Sequence, residues 1–282
     1  MAYAVIEACD TQHHQHGTER DTQQRTVSRI GLPVPSNRAT GAVHSLRRAD
    51  RQIKILQCDN VQKEWCAILS IREDIDLYLQ DILKMQYMVS NNISHRVTKG
   101  ELREKFIRRL VQDEFPSLML KSGILCADTW QSTQGDFLWL KDGARVGNLE
   151  LYDLDDCRMF MEIKSSATAM ELRAIDETAS NLKQRYAGES PIKVGMFCYS
   201  TSANEKTVLH KFGFVYDREI EGYSAYDKSK DQMRNVDFLF SLNISNDQDG
   251  ATLPYLVVRD YSESCVLYKD NPVIRYFLNY FR

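Results

Sequence analysis

Large apolar residues are sparse over the first fifty positions, and they then arrive in two rhythms, helical first and alternating later. Between Val61 and Val89, Trp65, Ile68, Leu69, Ile75, Leu79, Ile82, Leu83 and Met85 recur at three- and four-residue steps without Gly or Pro. That spacing predicts one long amphipathic helix or two shorter ones. Such a segment could cover a core or pair with a second copy of the chain. Asn91-Asn92 ends it. Thr98-Lys99-Gly100-Glu101 reads as a Thr-x-x-Glu capping box opening a second helix. That helix runs through Leu102, Phe106, Ile107, Leu110 and Val111 and stops before Pro116. At about 3.6 residues per turn these apolar positions cover about half the circumference. Arg103 falls inside the arc, Glu104 at its border and Glu101 further out.

The rhythm then shortens. Gly123–Cys126 and Phe137–Leu140 read as strands, the second followed by a turn at Asp142-Gly143. Arg158-Met159-Phe160-Met161-Glu162-Ile163-Lys164 reads as a third strand entering a core. A helix is expected over about 169–186, a buried strand over 192–199, a short helix over 206–212 and strands over 236–242 and 255–258. Pro272 to Phe281 predicts a closing apolar helix, with Tyr276, Phe277, Tyr280 and Phe281 as core or dimer contacts. Helix, three strands, helix, strand and later additions describe an α/β protein with a mixed central sheet flanked by helices. The expected division is a flexible leader over 1–55, a helical extension over 56–95 and an α/β domain over 96–282.

Composition narrows the classes. The 43% hydrophobic and 27% charged content suits a soluble globular chain, and no run approaches the length of a membrane span. The N-terminus is apolar only briefly and lacks a basic lead, so no secretory signal is expected. A net charge of −3 gives no global nucleic-acid footprint but leaves room for a local basic groove. The seven scattered cysteines, with no Cys-x-x-Cys, predict reduced thiols in a cytoplasmic protein rather than a disulfide frame or a zinc site. In the leader, His13, His14 and His16 read as part of a disordered polar tract, since no carboxylate or Cys ligand clusters with them. The Arg47-Arg48-Ala49-Asp50-Arg51 cluster reads equally as a solvated face or a phosphate contact.

The candidate chemistry lies in the third strand. Glu162-Ile163-Lys164 is the only acidic-x-Lys triplet in the chain. Alternation puts both side chains on one face, about 7 Å apart along the backbone. An apolar setting makes both charges costly unless they hold each other or a ligand. A plain ion pair on a half-exposed strand would satisfy that, and so would a site. Gln134-Gly135-Asp136 opens the second strand. If strands two and three pair antiparallel, the start of one lies beside the end of the other. Asp136, Glu162 and Lys164 would then converge, with Glu104 or Glu101 added from the helix. Two or three carboxylates supply the oxygen ligands Mg²⁺ takes. Arg103 is expected to be a structural partner of Glu104 or Asp136, while Lys105, Arg108 and Arg109 fall mostly on the outer helix face. His95 and His210 stand alone in the sequence, with no chemistry expected of either.

The order of these pieces resembles the PD-(D/E)XK nuclease superfamily, home of many restriction enzymes. The likeness is closer to an uncharacterised bacterial branch in which Gly-Glu-x-Arg-Glu opens the helix, Gln-x-Asp opens a strand and Glu-x-Lys-(Ser/Thr) closes the next. Here these are Gly100-Glu101-Leu102-Arg103-Glu104, Gln134-Gly135-Asp136 and Glu162-Ile163-Lys164-Ser165, within a similar region running from Lys99 to Tyr199. The resemblance implies a restriction-endonuclease-like core and Mg²⁺-dependent phosphodiester hydrolysis, with Mn²⁺ an alternative ion. It implies DNA ahead of RNA as substrate, and a defence or restriction setting. It makes Asp136 and Glu162 metal ligands, Lys164 the catalytic lysine, and Gln134, Glu101 and Glu104 supporting groups. Two rivals stand beside it: the same fold holding nucleic acid or protein without cutting, and an assembly protein driven by the 61–89 helix, which would also serve as a homodimer contact.

Overall fold

The computed structural model describes residues 72–144, 149–188, 191–219, 221–244, 253–260, 263–269 and 273–282. The leader, its histidines, the Arg47–Arg51 cluster and the start of the first predicted helix lie outside the described residues. By contacts the chain divides into Met1–Arg72 and Glu73–Arg282, and the second unit carries the sheet and its helices. None of the described helices is long and apolar enough to cross a membrane.

The first helix, α1, spans 72–90. It leads to α2 (Arg96–Glu114), then to strands β1 (Met119–Ala127), β2 (Trp130–Leu140) and β3 (Leu151–Asp153). A 3₁₀ turn at Leu154–Asp156 precedes β4 (Cys157–Lys164), α3 (Ala169–Arg185) and β5 (Lys193–Cys198). There follow α4 (Glu205–Lys211), the hairpin β6 (Phe212–Asp217) and β7 (Gly222–Asp231), and strands β8 (Phe238–Ser241), β9 (Tyr255–Arg259) and β10 (Cys265–Tyr268). The chain closes with α5 (Val273–Leu278) and a 3₁₀ turn.

Eight strands form one sheet in the order β10-β9-β8-β5-β4-β2-β1-β3, and β6-β7 form a separate ribbon. The centre is parallel, β4 beside β5 beside β8, and β2 joins β4 antiparallel. Alternation along the strands builds two cores. Leu138, Phe160, Val194 and Leu239 face one side, where Leu172, Ile175, Ala179 and Leu182 of α3 cover them. Phe137, Met159, Met161, Phe197 and Phe240 face the other, under Leu83 and Tyr87 of α1, Ile107 and Val111 of α2 and Phe277 of α5. The result is a three-layer α/β unit with a mixed sheet between helices.

Helix ends follow local chemistry. Thr168 and Glu171 form a reciprocal capping box that starts α3 four residues after Lys164. For α2 the expectation needs correction. The helix begins at Arg96, and His95 is its N-cap, its Nδ1 accepting from the Thr98 backbone N–H at 3.3 Å. Thr98 bonds back to the same ring nitrogen through its hydroxyl at 2.9 Å, so it lies inside the helix and heads no capping box. His95 therefore has a structural task that its isolation in the sequence concealed.

Arg103 is buried and structural, as its place in the apolar arc predicts, but its partners are neither Glu104 nor Asp136. Its Nε donates to the Ser90 hydroxyl at 2.8 Å and its terminal nitrogen to the Asn91 side chain at 2.7 Å. Its guanidinium lies 4.1 Å from the Tyr87 ring centroid. The residues that end α1 are thus the ones that bind it to α2. Burial draws the guanidinium pKa down, against the opposing influence of Tyr87 and Tyr199.

Candidate active site

The β2–β4 register fixes the site. Phe137 pairs with Met161, and one step further in that register sets Asp136 opposite Glu162. Directly opposed residues of an antiparallel pair have Cβ atoms about 5 Å apart, and like charges there repel. Two donors answer the repulsion. The Ile163 backbone N–H donates to Asp136 Oδ2 at 2.8 Å. Lys164 Nζ bridges the carboxylates, 2.6 Å from Glu162 Oε2 and 3.4 Å from Asp136 Oδ2. Side-chain exposures of 17% for Asp136, 14% for Glu162 and 29% for Lys164 place the cluster at the rim, open to a ligand yet largely shielded.

Electrostatics follow from that placement. Burial, then the facing Asp136, push the Glu162 carboxyl up to about 7, although Lys164 pulls the other way. Burial works against the charged form of Lys164, but Glu162 and Asp136 outweigh it and hold the ammonium above its ordinary pKa. Glu104, on α2, is raised as well, by burial first and by Asp136 second, with Arg108 and Lys164 opposing. It therefore shares the field of the three-residue cluster.

The supporting residues separate. Glu104 is half-buried beside the cluster, while Glu101 is exposed one turn earlier and Gln134 is exposed on β2. Neither Glu101 nor Gln134 takes part in the hydrogen bonds that join Asp136, Glu162 and Lys164. Gly135 has a steric reason to lie between Gln134 and Asp136. A Cβ there would come within 2.7 Å of the Phe160 ring and of Leu138, so only Gly lets the start of β2 lie down on that floor.

One contributor was misplaced by the outer-face expectation. Arg108 is half-buried and donates to the Asp136 backbone carbonyl at 2.9 Å, tying α2 to the start of β2. The signal was present in the spacing, since Arg108 stands one helical turn after Glu104 and shares its face.

The mixed sheet, its flanking helices and their connectivity make this a restriction-endonuclease-like fold. Two solved structures are similar to it. P. aeruginosa ATCC27853 NucC in its cAAA-bound form superposes with a TM-score of 0.54 at 12% identity, over 74% of this chain and 88% of that one. E. coli MS115-1 NucC, also cAAA-bound, gives 0.53 at 11% identity, over 74% of this chain and 87% of that one. At such identity the likeness is one of fold. No protein-family model matches the sequence, and no curated protein matches it.

Proposed function

We propose that this chain is a divalent-metal-dependent endonuclease that hydrolyses phosphodiester bonds, with DNA as substrate, in a bacterial defence or restriction setting. The observation that carries the reading is the meeting of Asp136, Glu162 and Lys164 at the rim of the sheet. It is supported by the fold shared with NucC.

The donor set fits Mg²⁺, with Mn²⁺ as an alternative. Magnesium is commonly held by one or two carboxylates, its remaining sphere coming from water and phosphate oxygens. A divalent cation would also relieve the repulsion from Asp136 that adds to burial in pushing Glu162 up to about 7. Asp136 and Glu162 would hold the ion, and Glu104, from α2, would complete its surroundings. Such an ion lowers the pKa of a water and neutralises charge building on a phosphate. Lys164 stays charged between the carboxylates and donates to a phosphate oxygen or orients the attacking water. Arg108 and the Ile163 amide fix Asp136 in place, one through its backbone carbonyl and the other through its carboxylate. Lys105 and Arg109, exposed on α2, supply the kind of sequence-independent contact that phosphates accept.

One observation favours a second reading, the same fold used to bind nucleic acid without cutting it. Lys164 Nζ lies 2.6 Å from Glu162 and 3.4 Å from Asp136, so the two carboxylates have a counter-charge without an ion. Plasmid and short oligonucleotides incubated with wild type and Asp136→Ala in Mg²⁺ or Mn²⁺ separate the two. Cleavage by wild type alone is expected, with Lys164→Ala inactive yet retaining DNA affinity in Ca²⁺. Binding without any wild-type cleavage would establish the second reading instead.

A further inference from the structure

Among the described residues Arg103, Arg108, Arg259 and Arg275 are the arginines that are buried or half-buried. Three of them are matched. Arg259 pairs with Asp231 at 2.9 Å and Arg275 with Asp76 at 2.7 Å, while Arg103 divides its donors between Ser90, Asn91 and the face of the Tyr87 ring. Arg108 is the exception. It has one hydrogen bond, the donation from Nη2 to the Asp136 carbonyl at 2.9 Å. Its Nε is buried without a partner, and it forms no ion pair or ring contact among the described residues. The other terminal nitrogen, Nη1, is equally unbonded but not buried, so one corner of the fork faces solvent at the rim. A guanidinium carries five N–H donors and a charge that is costly to shield unmatched. Most of that capacity is unused at Arg108.

Its position says what could use it. Lys164 reaches the Asp136 side chain from β4. Along the order β4-β2-β1-β3 the charge of Arg108 acts on Tyr152 of β3 as well as on Glu104. Two cations therefore bracket the start of β2, Lys164 on the β4 side and Arg108 toward β1 and β3. With a divalent ion held there, the carboxylates of Asp136, Glu162 and Glu104 are matched by the ion and the Lys164 ammonium. The charge left for an anion is that of Arg108.

We infer that Arg108 is a substrate-binding residue, gripping the phosphate next to the scissile one on the strand being cut. This rests on the nuclease reading of Asp136, Glu162 and Lys164, which assigns the scissile phosphate to the ion and Lys164 and leaves its neighbour for Arg108. The planar fork of an arginine fits phosphate oxygens, and such charge-assisted hydrogen bonds are about twice as strong as neutral ones. Lys105 and Arg109 are exposed on the same helix and must be ordered on binding, whereas Arg108 is already anchored at one end by the Asp136 carbonyl.

Binding of a short DNA duplex in Ca²⁺ across a salt series tests it, with Ca²⁺ affinity measured alongside by calorimetry. Arg108→Gln is expected to weaken duplex binding about tenfold, the scale of one charge-assisted hydrogen bond, and to reduce the salt slope by about one. Its Ca²⁺ affinity should stay within about twofold of wild type, because the Ile163 amide still holds the Asp136 carboxylate. A duplex with a neutral methylphosphonate beside the scissile position should bind wild type about tenfold more weakly and Arg108→Gln no more weakly than the unmodified duplex. A merely structural Arg108 would lower Ca²⁺ and duplex affinity together and leave the salt slope and the methylphosphonate penalty in place, and that result overturns the inference. Should Arg108→Gln fail to fold, Arg108→Lys decides. Loss of the fork predicts duplex binding weakened about threefold or more at unchanged Ca²⁺ affinity, and unaltered duplex binding overturns the inference. Cleavage by wild type in Mg²⁺ with no change of slope in Arg108→Gln sinks this assignment alone. Duplex binding without wild-type cleavage, with the slope reduced, sinks the nuclease reading and keeps Arg108 as a phosphate contact. A wild type that binds no duplex sinks both.

Discussion

At the scale of single residues, the site is governed by two carboxylates facing each other across a strand pair and one ammonium between them. Removing the ammonium should cost catalysis more than structure. Lys164→Ala is expected to lower the single-turnover cleavage rate by about 10²-fold or more, the order seen when one transition-state donor is lost. Lys164→Arg should recover only part of it, because a forked guanidinium does not reproduce a compact ammonium. Titration follows from burial first and from the facing Asp136 second. Glu162 has a folded value of about 7, above the 4.5 of the free side chain. Between those values the folded chain binds more protons than the unfolded chain, so metal-free stability should fall as pH rises from about 4.5 to 7 and level off above. Glu104, also raised, adds to the same slope. Thermal melts across that range should show the fall, and Glu162→Gln should flatten it. Mg²⁺ selects the ionised form, so the stabilisation it gives should be small near pH 5 and grow toward pH 7. A Mg²⁺ effect that ignores pH would contradict the assignment of Glu162. Gly135→Ala should push against the Phe160 ring and cost about 1–3 kcal/mol of stability in urea unfolding, with cleavage reduced as Asp136 shifts.

At the scale of elements, much of the arrangement could be read from the sequence, and the misses have causes. The central strands, α3, α4 and the closing helix were legible because long apolar runs and strict periodicities leave little choice. The convergence of Asp136 with Glu162 and Lys164 needed one assumption, antiparallel pairing of β2 with β4, and the register meets it. The ribbon β6–β7 was not legible, because β7 reads Gly-Tyr-Ser-Ala-Tyr-Asp-Lys-Ser-Lys-Asp, mostly polar, and its pairing slips at Val215/Tyr216. β3 has three residues and β10 four, too short for alternation to register. The junction of α1 and α2 was half-legible. Arg103 announced itself as an internal charge, but its partners are neutral groups and a ring rather than the carboxylates that sequence reasoning favours. Arg103→Ala strands Ser90 and Asn91 and removes the ring contact, so a loss of about 3 kcal/mol is expected in urea unfolding, with metal affinity unchanged. His95→Ala should cost about 1 kcal/mol, as for other N-caps.

At the scale of the whole molecule, the sheet is a platform with its chemistry on one rim, and α2 joins that rim to the rest. It carries Glu104 and Arg108 at the site and Arg103 at the junction with α1. A DNA substrate would meet a chain of near-zero net charge, so affinity must come from cations gathered locally around the rim. Binding in Ca²⁺ should therefore weaken steeply with salt, and Lys105→Ala/Arg109→Ala should reduce that slope while leaving Mg²⁺ affinity intact. The proposed activity depends on Asp136 and Glu162 forming one divalent-cation site, which anomalous diffraction from crystals soaked in Mn²⁺ would examine most directly. The expected result is a single manganese peak within about 2.5 Å of a carboxylate oxygen of each residue, with Lys164 displaced toward the phosphate side. Manganese bound elsewhere, or a site left empty while Lys164 still bridges both carboxylates, would contradict it.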